Sequence, residues 1–316
     1  MSTKDIIKDY GTTVSAEVYN NALQGHQYIP QADQRIVNIV LEKINDLQKV
    51  KSIISILDLG CGPGRLTYKF AKKGTLVHGI DLSESFINAA INFNSTYSQI
   101  SFMQYDFASV NFPHEDMASQ YDIIVMQGVM HHVHGEERKL FLERCHKLLN
   151  SDGILIIGDE FIKPYIQEAD RIVNVAEFYL HIIGEAIKGG FMDLAFEEAK
   201  NLIDDTLSGE EGAGFANDEI IKWIFYVAQR CNKDFYEGGS MYYIDVQDLI
   251  TFLKRECSEL ASTNEKSFNR GDFKVSLDVF ERELQKYSFQ LDNTNTIGPV
   301  DQLGGMAVLT FKQKNN

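Results

Sequence analysis

The stretch Ile56-Leu57-Asp58-Leu59-Gly60-Cys61-Gly62-Pro63-Gly64-Arg65 joins a short apolar run to three closely spaced glycines, and Leu66, Thr67 and Phe70 continue it with helical spacing. Glycine lets the backbone take positive φ and lets a ligand approach the main chain, while a helix N-terminus offers unpaired N–H groups. A strand, a nucleotide-type loop and a helix are therefore expected here. Working outward, residues 76–80, 121–126 and 153–157 are further brief runs rich in Ile, Val or Leu, and residues 100–104 form a weaker one. Helix-like stretches separate them. In the helix expected over 136–149, Phe141, Cys145, Leu148 and Leu149 share one face, and Ser151-Asp152-Gly153 turns the chain into the next strand. Such alternation implies a mostly parallel sheet covered by helices.

After Phe161 the rhythm changes, and residues 163–275 read as a helical insertion or cap. Its first helix is apolar on several faces through Ile166, Val173, Leu180 and Ile187; Asn217 and Asp245 are candidate caps of later helices, and residues 209–214 a loop. From Ser276 the sheet pattern resumes with a helix through Val279, Phe280 and Leu284 and strands near 289–291 and 306–311, expected to pair as an antiparallel hairpin at the sheet edge. The expected division is thus an N-terminal helical segment at 1–50, an α/β domain made of 51–162 and 276–316, and the cap between its two parts.

Thirty Lys and Arg against 45 Asp and Glu give a net charge of -15, which repels a polyphosphate backbone and argues against nucleic acid as partner. The four cysteines, Cys61, Cys145, Cys231 and Cys257, form no C-x-x-C pair and suit neither a zinc site nor a disulfide framework. The first residues lack the apolar stretch of a signal peptide, and nowhere do about 18 consecutive apolar residues occur to span a bilayer. A soluble cytoplasmic chain that makes no membrane contact is expected.

Asp81 ends the strand Val77-His78-Gly79-Ile80, at the distance from the glycine loop where a carboxylate can accept hydrogen bonds from ribose hydroxyls. Dinucleotide-binding loops share this arrangement, but in G-x-G-x-x-G the third glycine would fall on position 65, which is arginine. Asp58 beside the loop is unfavourable to a pyrophosphate and suits a ligand carrying an ammonium group and a sulfonium. With these residues in view, Leu57-Asp58-Leu59-Gly60-Cys61-Gly62-Pro63-Gly64 resembles the first motif of class I S-adenosylmethionine-dependent methyltransferases of the small-molecule type. Asp81-Leu82 resembles the family's ribose-binding acid and adenine-packing residue, Asp106-Phe107 the pair that meets the adenine, and the run from Tyr121 to Gln127 its fourth strand. Tyr19 and Gly25-His26-Gln27-Tyr28 resemble the segment that closes over the cofactor.

The resemblance covers about residues 50–162 and 276–312. It implies a Rossmann-like sheet of seven strands with the last antiparallel, S-adenosylmethionine as cofactor and S-adenosylhomocysteine as product. The cofactor residues it implies are Tyr19, Tyr28, Asp58, Gly60, Cys61, Gly62, Gly64, Asp81, Leu82, Asp106, Phe107 and Gln127. In sugar and other small-molecule O-methyltransferases of this family a histidine of the segment matching Val129-Met130-His131-His132 and an acid after the fifth strand act as base and partner. His131, His132, Asp159 and Glu160 are the corresponding catalytic candidates, and no metal is expected, since adjacent histidines in such a turn diverge. Methyl transfer to an oxygen of a small organic molecule is the leading expectation, with nitrogen or carbon as other acceptor atoms. An aminopropyltransferase on the same fold, or a non-catalytic cofactor-binding module with a protein-contact helical part, are the alternatives. The aromatic residues of the cap would line a substrate lid, form its own core or make a homodimer contact.

Overall fold

The computed structural model of the chain describes residues 15–107, 120–133, 135–167, 170, 171, 174, 175, 177, 178, 181, 182, 273–287 and 289–314. Among them run seven strands: β1 (Ile54–Leu59), β2 (Thr75–Asp81), β3 (Ile100–Gln104), β4 (Tyr121–Gln127), β5 (Leu149–Phe161), β6 (Phe289–Ile297) and β7 (Gly305–Gln313). They form one sheet in the order β3-β2-β1-β4-β5-β7-β6. The first five are parallel, and β7 lies antiparallel between β5 and β6, as expected for a Rossmann-like methyltransferase sheet. The central strands are apolar almost throughout because both sheet faces are covered: β4 is buried from Tyr121 to Met126.

One face packs α2 (Ile29–Leu47), which follows α1 (Ala16–Gly25) and buries Ile29, Ala32, Ile36, Val40 and Ile44 at helical spacing. It lies on β5 and β7. Between β1 and β2 stands the four-residue α3 (Thr67–Phe70), and between β2 and β3 α4 (Glu84–Phe93), whose first turn is capped by the Ser83 hydroxyl accepting the Phe86 N–H at 3.3 Å. On the other face α5 (Gly135–Leu148) and α6 (Leu277–Gln285) close the main core, in which Phe141, Leu142, Cys145, Phe280 and Leu284 meet Leu57, Ile124, Leu155, Leu309 and Phe311. Because β2 and β3 lie to one side of β1 and β4 to the other, the carboxyl ends of β1 and β4 flank a crevice.

Two boundaries differ from expectation. β5 begins at Leu149, directly after α5, and includes the anticipated turn at 151–153. Leu149 pairs with Tyr121 across a register shift, and the Asn150 side chain reaches Asp122 Oδ1 at 2.7 Å, so cross-strand bonds override the local turn preference. β6 extends to Ile297 through the polar run Asp292-Asn293-Thr294-Asn295-Thr296, because an edge strand needs backbone pairing on one side only, and β7 supplies it. Of the cap, residues 170, 171, 174, 175, 177, 178, 181 and 182 are helical, with Val175, Phe178 and Ile182 buried. The later helices expected at Asn217 and Asp245, the loop at 209–214, most of the lid aromatics and the dimer contact lie outside the described residues. Among the described residues no helix is long and apolar enough to cross a membrane.

Phe311 is fully buried on β7 in the main core. Phe311→Ala should cost about 3–5 kcal/mol in chemical denaturation; a loss below about 1 kcal/mol would show that β7 is not inserted between β5 and β6.

Candidate functional site

At the end of β1 the backbone N–H groups of Gly60 and Cys61 donate to the Ile80 carbonyl at 2.8 and 3.0 Å, and that of Gly62 donates to Asp81 Oδ2 at 2.8 Å. Gly60, Gly62 and Gly64 all have positive φ, of 70°, 53° and 78°. A Cβ on Gly60 would lie 2.3 Å from Val129 Cγ2, so glycine there admits the loop that follows β4; one on Gly64 would lie 2.6 Å from Asn94 Nδ2. Over Gly62 sits Tyr19 of α1, whose ring packs 5.0 Å from that of Phe86.

Two cavities adjoin along this loop and share Tyr19, Gly60 and Gly62. The larger, about 530 Å³ including its open mouth, is lined by Asp81, Leu82, Phe107, Val129 and His132 among others. The smaller, about 300 Å³, is lined by Asp58, Cys61, Arg65 and Gln127. Because α3 has only four residues, hydrogen-bonded turns and side chains shape the loop more than a helix terminus does.

Burial pushes the Asp58 carboxyl up to about 7, against the Thr67 hydroxyl that donates to Oδ2 at 2.6 Å and with help from the nearby Asp81 charge. Burial also raises Asp81, opposed by the backbone N–H groups of Ser83, Gly62 and Leu82. Gln127 Oε1 is buried without a hydrogen-bond partner. An acceptor left unpaired beside a buried carboxylate fits a cationic donor such as an ammonium group. Burial pushes the Cys61 thiol well up, which excludes a resting thiolate nucleophile. Arg65 ion-pairs with Asp33 and ties the loop to α2.

Beyond β4, Gly128 at φ 65° turns the chain into a short 3-10 segment, Met130–His132. His132 lines the larger cavity; His131 lies behind it, the two rings 3.9 Å apart. His131 Nδ1 is 2.5 Å from Asp159 Oδ1 at the end of β5, and Asp159 also accepts the N–H groups of Met130 at 2.7 Å and Glu160 at 2.8 Å. Burial raises the Asp159 carboxyl, but His131 and the Glu160 N–H outweigh it and hold it below the usual range. An ionised carboxylate only accepts, so Nδ1 carries the hydrogen, and in the neutral ring Nε2 keeps a lone pair. Burial and the Lys274 charge disfavour protonation of His131; Asp159 and Glu160 outweigh them and raise it above the ordinary histidine value.

Of the cofactor residues named from sequence, Tyr19, Asp58, Gly60, Cys61, Gly62, Asp81, Leu82, Phe107 and Gln127 line these cavities. Gly64 does not; it provides close packing against α4 and β3. Tyr28 lines neither, because its ring is packed against Gly298 and its hydroxyl pairs with His181 Nε2 at 2.6 Å. Asp106 is half-buried and also lines neither. Glu160 is engaged elsewhere, by Lys274 Nζ at 3.0 Å and with His26 Nε2 at 3.4 Å, and the Lys274 ammonium above all holds its carboxyl far down despite burial. Of the two acids, Asp159 bonds His131 while Glu160 is paired with Lys274. Lys274 escaped sequence reasoning as a site residue, and His26 was named only as part of the segment resembling the one that closes over the cofactor. Lys274 stands in no motif, and only the folding of the 273–276 return against β5 brings it near Glu160.

The family model described as "Methyltransferase domain" matches residues 56–153, the segment that builds the loop, the acid and the histidine turn. The ubiquinone biosynthesis O-methyltransferase of Rhodopseudomonas palustris (strain TIE-1) is 32% identical over 148 residues, spanning 41% of this chain and 56% of that protein. That of Coxiella burnetii (strain Dugway 5J108-111) is 33% identical over 103 residues, 33% of this chain and 42% of the relative. The chain thus spans little more than half the length of the first of these, and less of the second. Among solved structures, magnesium protoporphyrin IX methyltransferase from Synechocystis PCC 6803 with bound SAH aligns over 99% of this chain and 100% of its own, with a TM-score of 0.50 and 14% identity, a likeness of fold.

The Asp58 proton is held more tightly in the folded than in the unfolded chain, where an aspartate titrates near its ordinary value. Stability therefore falls as pH rises between about 4 and about 7. Asp58→Asn, which keeps an acceptor for Thr67, should melt close to wild type at low pH and above it, by a few kcal/mol of stability at most, at pH values above about 7. Equal melting temperatures across the range would mean that Asp58 is not buried as described.

Proposed function

We propose that this chain transfers a methyl group from S-adenosylmethionine to an oxygen of a small organic molecule. The observation that carries the reading is the buried His131–Asp159 pair at the carboxyl edge of the sheet, directly behind the wall of the glycine-loop cleft. The match of residues 56–153 to a methyltransferase domain supports the reaction class, and the relatives named ubiquinone biosynthesis O-methyltransferase support oxygen as acceptor. We assign residues 51–162 and 276–316 to cofactor binding and chemistry, residues 163–275 to acceptor recognition, and the protein to the cytoplasm.

The residues present fit the cofactor. Asp58 and the unpaired Gln127 Oε1 suit its ammonium group, Asp81 retains acceptor capacity for ribose hydroxyls beside its backbone partners, and Leu82 and Phe107 offer apolar surface to the adenine. When bound, S-adenosylmethionine supplies a methyl group on a sulfonium, a good leaving group that departs as S-adenosylhomocysteine. The protein then has two tasks, alignment and removal of the acceptor proton. His131 lines neither cavity, so the acceptor hydroxyl would reach its Nε2 from the side of residues 163–275 and give up its proton there; Asp159 holds the ring through Nδ1–H and stabilises the imidazolium that results. Tyr19 covers the loop and His132 forms the cleft wall beside the base, both excluding water.

Calorimetric titration should show micromolar binding of S-adenosylmethionine and S-adenosylhomocysteine and none of NAD; binding of NAD alone would overturn the reading. With a labelled methyl group and a metabolite extract, His131→Ala should lower turnover by about 10²–10⁴-fold with S-adenosylhomocysteine affinity unchanged. Because the His131 proton is held above the ordinary histidine value, the acid limb of the rate profile should lie above 6.5. Full turnover in His131→Ala would remove the proposed base.

A further inference from the structure

Behind His131 lies a charged group that proton removal does not itself use. Lys274 is fully buried, and its Nζ stands 3.0 Å from Glu160 Oε2. The other oxygen of Glu160 faces His26 Nε2 at 3.4 Å. His26 Nδ1 accepts the backbone N–H groups of Tyr28 at 3.1 Å and Ile29 at 3.3 Å, so the ring hydrogen is on Nε2, near Glu160 but outside hydrogen-bond geometry. Glu160 follows Asp159, which binds His131 at 2.5 Å. Of these two adjacent buried carboxylates, Asp159 bonds the His131 ring while Glu160 is paired with Lys274 and His26, and in a low-dielectric interior both negative charges favour a proton on His131.

Among the described residues, the other groups packed around His131 leave this imbalance to Lys274. The His132 ring lies against it, and the Phe273 N–H donates to its carbonyl at 2.6 Å. Arg138 of α5 is committed to Glu283 at 2.9 Å and to the carbonyls of Val133 at 3.0 Å and Phe273 at 3.3 Å. Burying a second carboxylate here without a cation would be costly, and removing either member of a buried pair exposes that cost.

We propose that Lys274 is a positioning residue for catalysis: its ammonium balances Glu160 and thereby sets how readily His131 gives up its proton and serves as base. The direction of its influence agrees, since Lys274 works against protonation of His131 while Asp159 and Glu160 work for it. That His131 is the base rests on the function proposed above; the charge balance can be measured with no substrate present.

The measurement is a proton–carbon NMR titration of the full chain carrying carbon-13 histidine, which has eight histidines, with the His131 signal identified by its loss in His131→Gln. Lys274→Met should move the His131 midpoint upward, Glu160→Gln should move it downward, and Lys274→Arg, which keeps the charge, should leave it near wild type. A packing role alone would not produce shifts of opposite sign. Midpoints that stay in place in both neutral variants, or move the same way, overturn the proposal. If one variant does not fold, the sign of the other decides. Opposite shifts together with full turnover in His131→Ala would sustain the charge balance and sink the base.

Discussion

Two N–H groups on one carboxylate hold the site together. Asp81 accepts Gly62 N–H on Oδ2 and Ser83 N–H on Oδ1, each at 2.8 Å, and so joins the glycine loop after β1 to the turn that starts α4. Through that turn Phe86 is placed under Tyr19, and through the loop Gly60 is placed against Val129. The end of β4, the N-terminal helix and the cleft between them are thus referenced to a single buried acid. Its burial is unfavourable to charge, and the backbone donors offset part of that cost.

The chemistry is layered behind this frame. The cleft wall carries His132, the layer behind it holds His131 with Asp159, and the deepest holds Glu160 with Lys274 and His26. Asp159 orients His131, which holds that histidine in one tautomer and one orientation. The deepest layer also joins three parts of the chain: the start of α2 through His26, the end of β5 through Glu160, and the return from the cap through Lys274. Any shift of the cap's attachment would therefore be felt at the histidine turn.

Much of this was legible beforehand because short-range patterns carry it. Strand runs of Ile, Val and Leu, three glycines in a loop, and an acid at the next strand end are local features with local causes. The polar edge of β6 and the early start of β5 were not, since their backbone bonds come from β7 and β4 and have no counterpart in side-chain pattern. Nor could sequence separate His131 from His132, or Asp159 from Glu160, because adjacent residues share a motif and differ only in the direction they face.

The sequence by itself determined the sheet, its nucleotide-type loop and the neighbourhood in which chemistry would fall, because hydrophobic period and glycine spacing are set by covalent neighbours. Only the tertiary structure decided that His131 is the histidine with a carboxylate partner, that Tyr28 is spent on packing, and that Lys274 occupies Glu160. Those assignments depend on which buried charges lie within a few ångströms of each other, and that distance is created by folding.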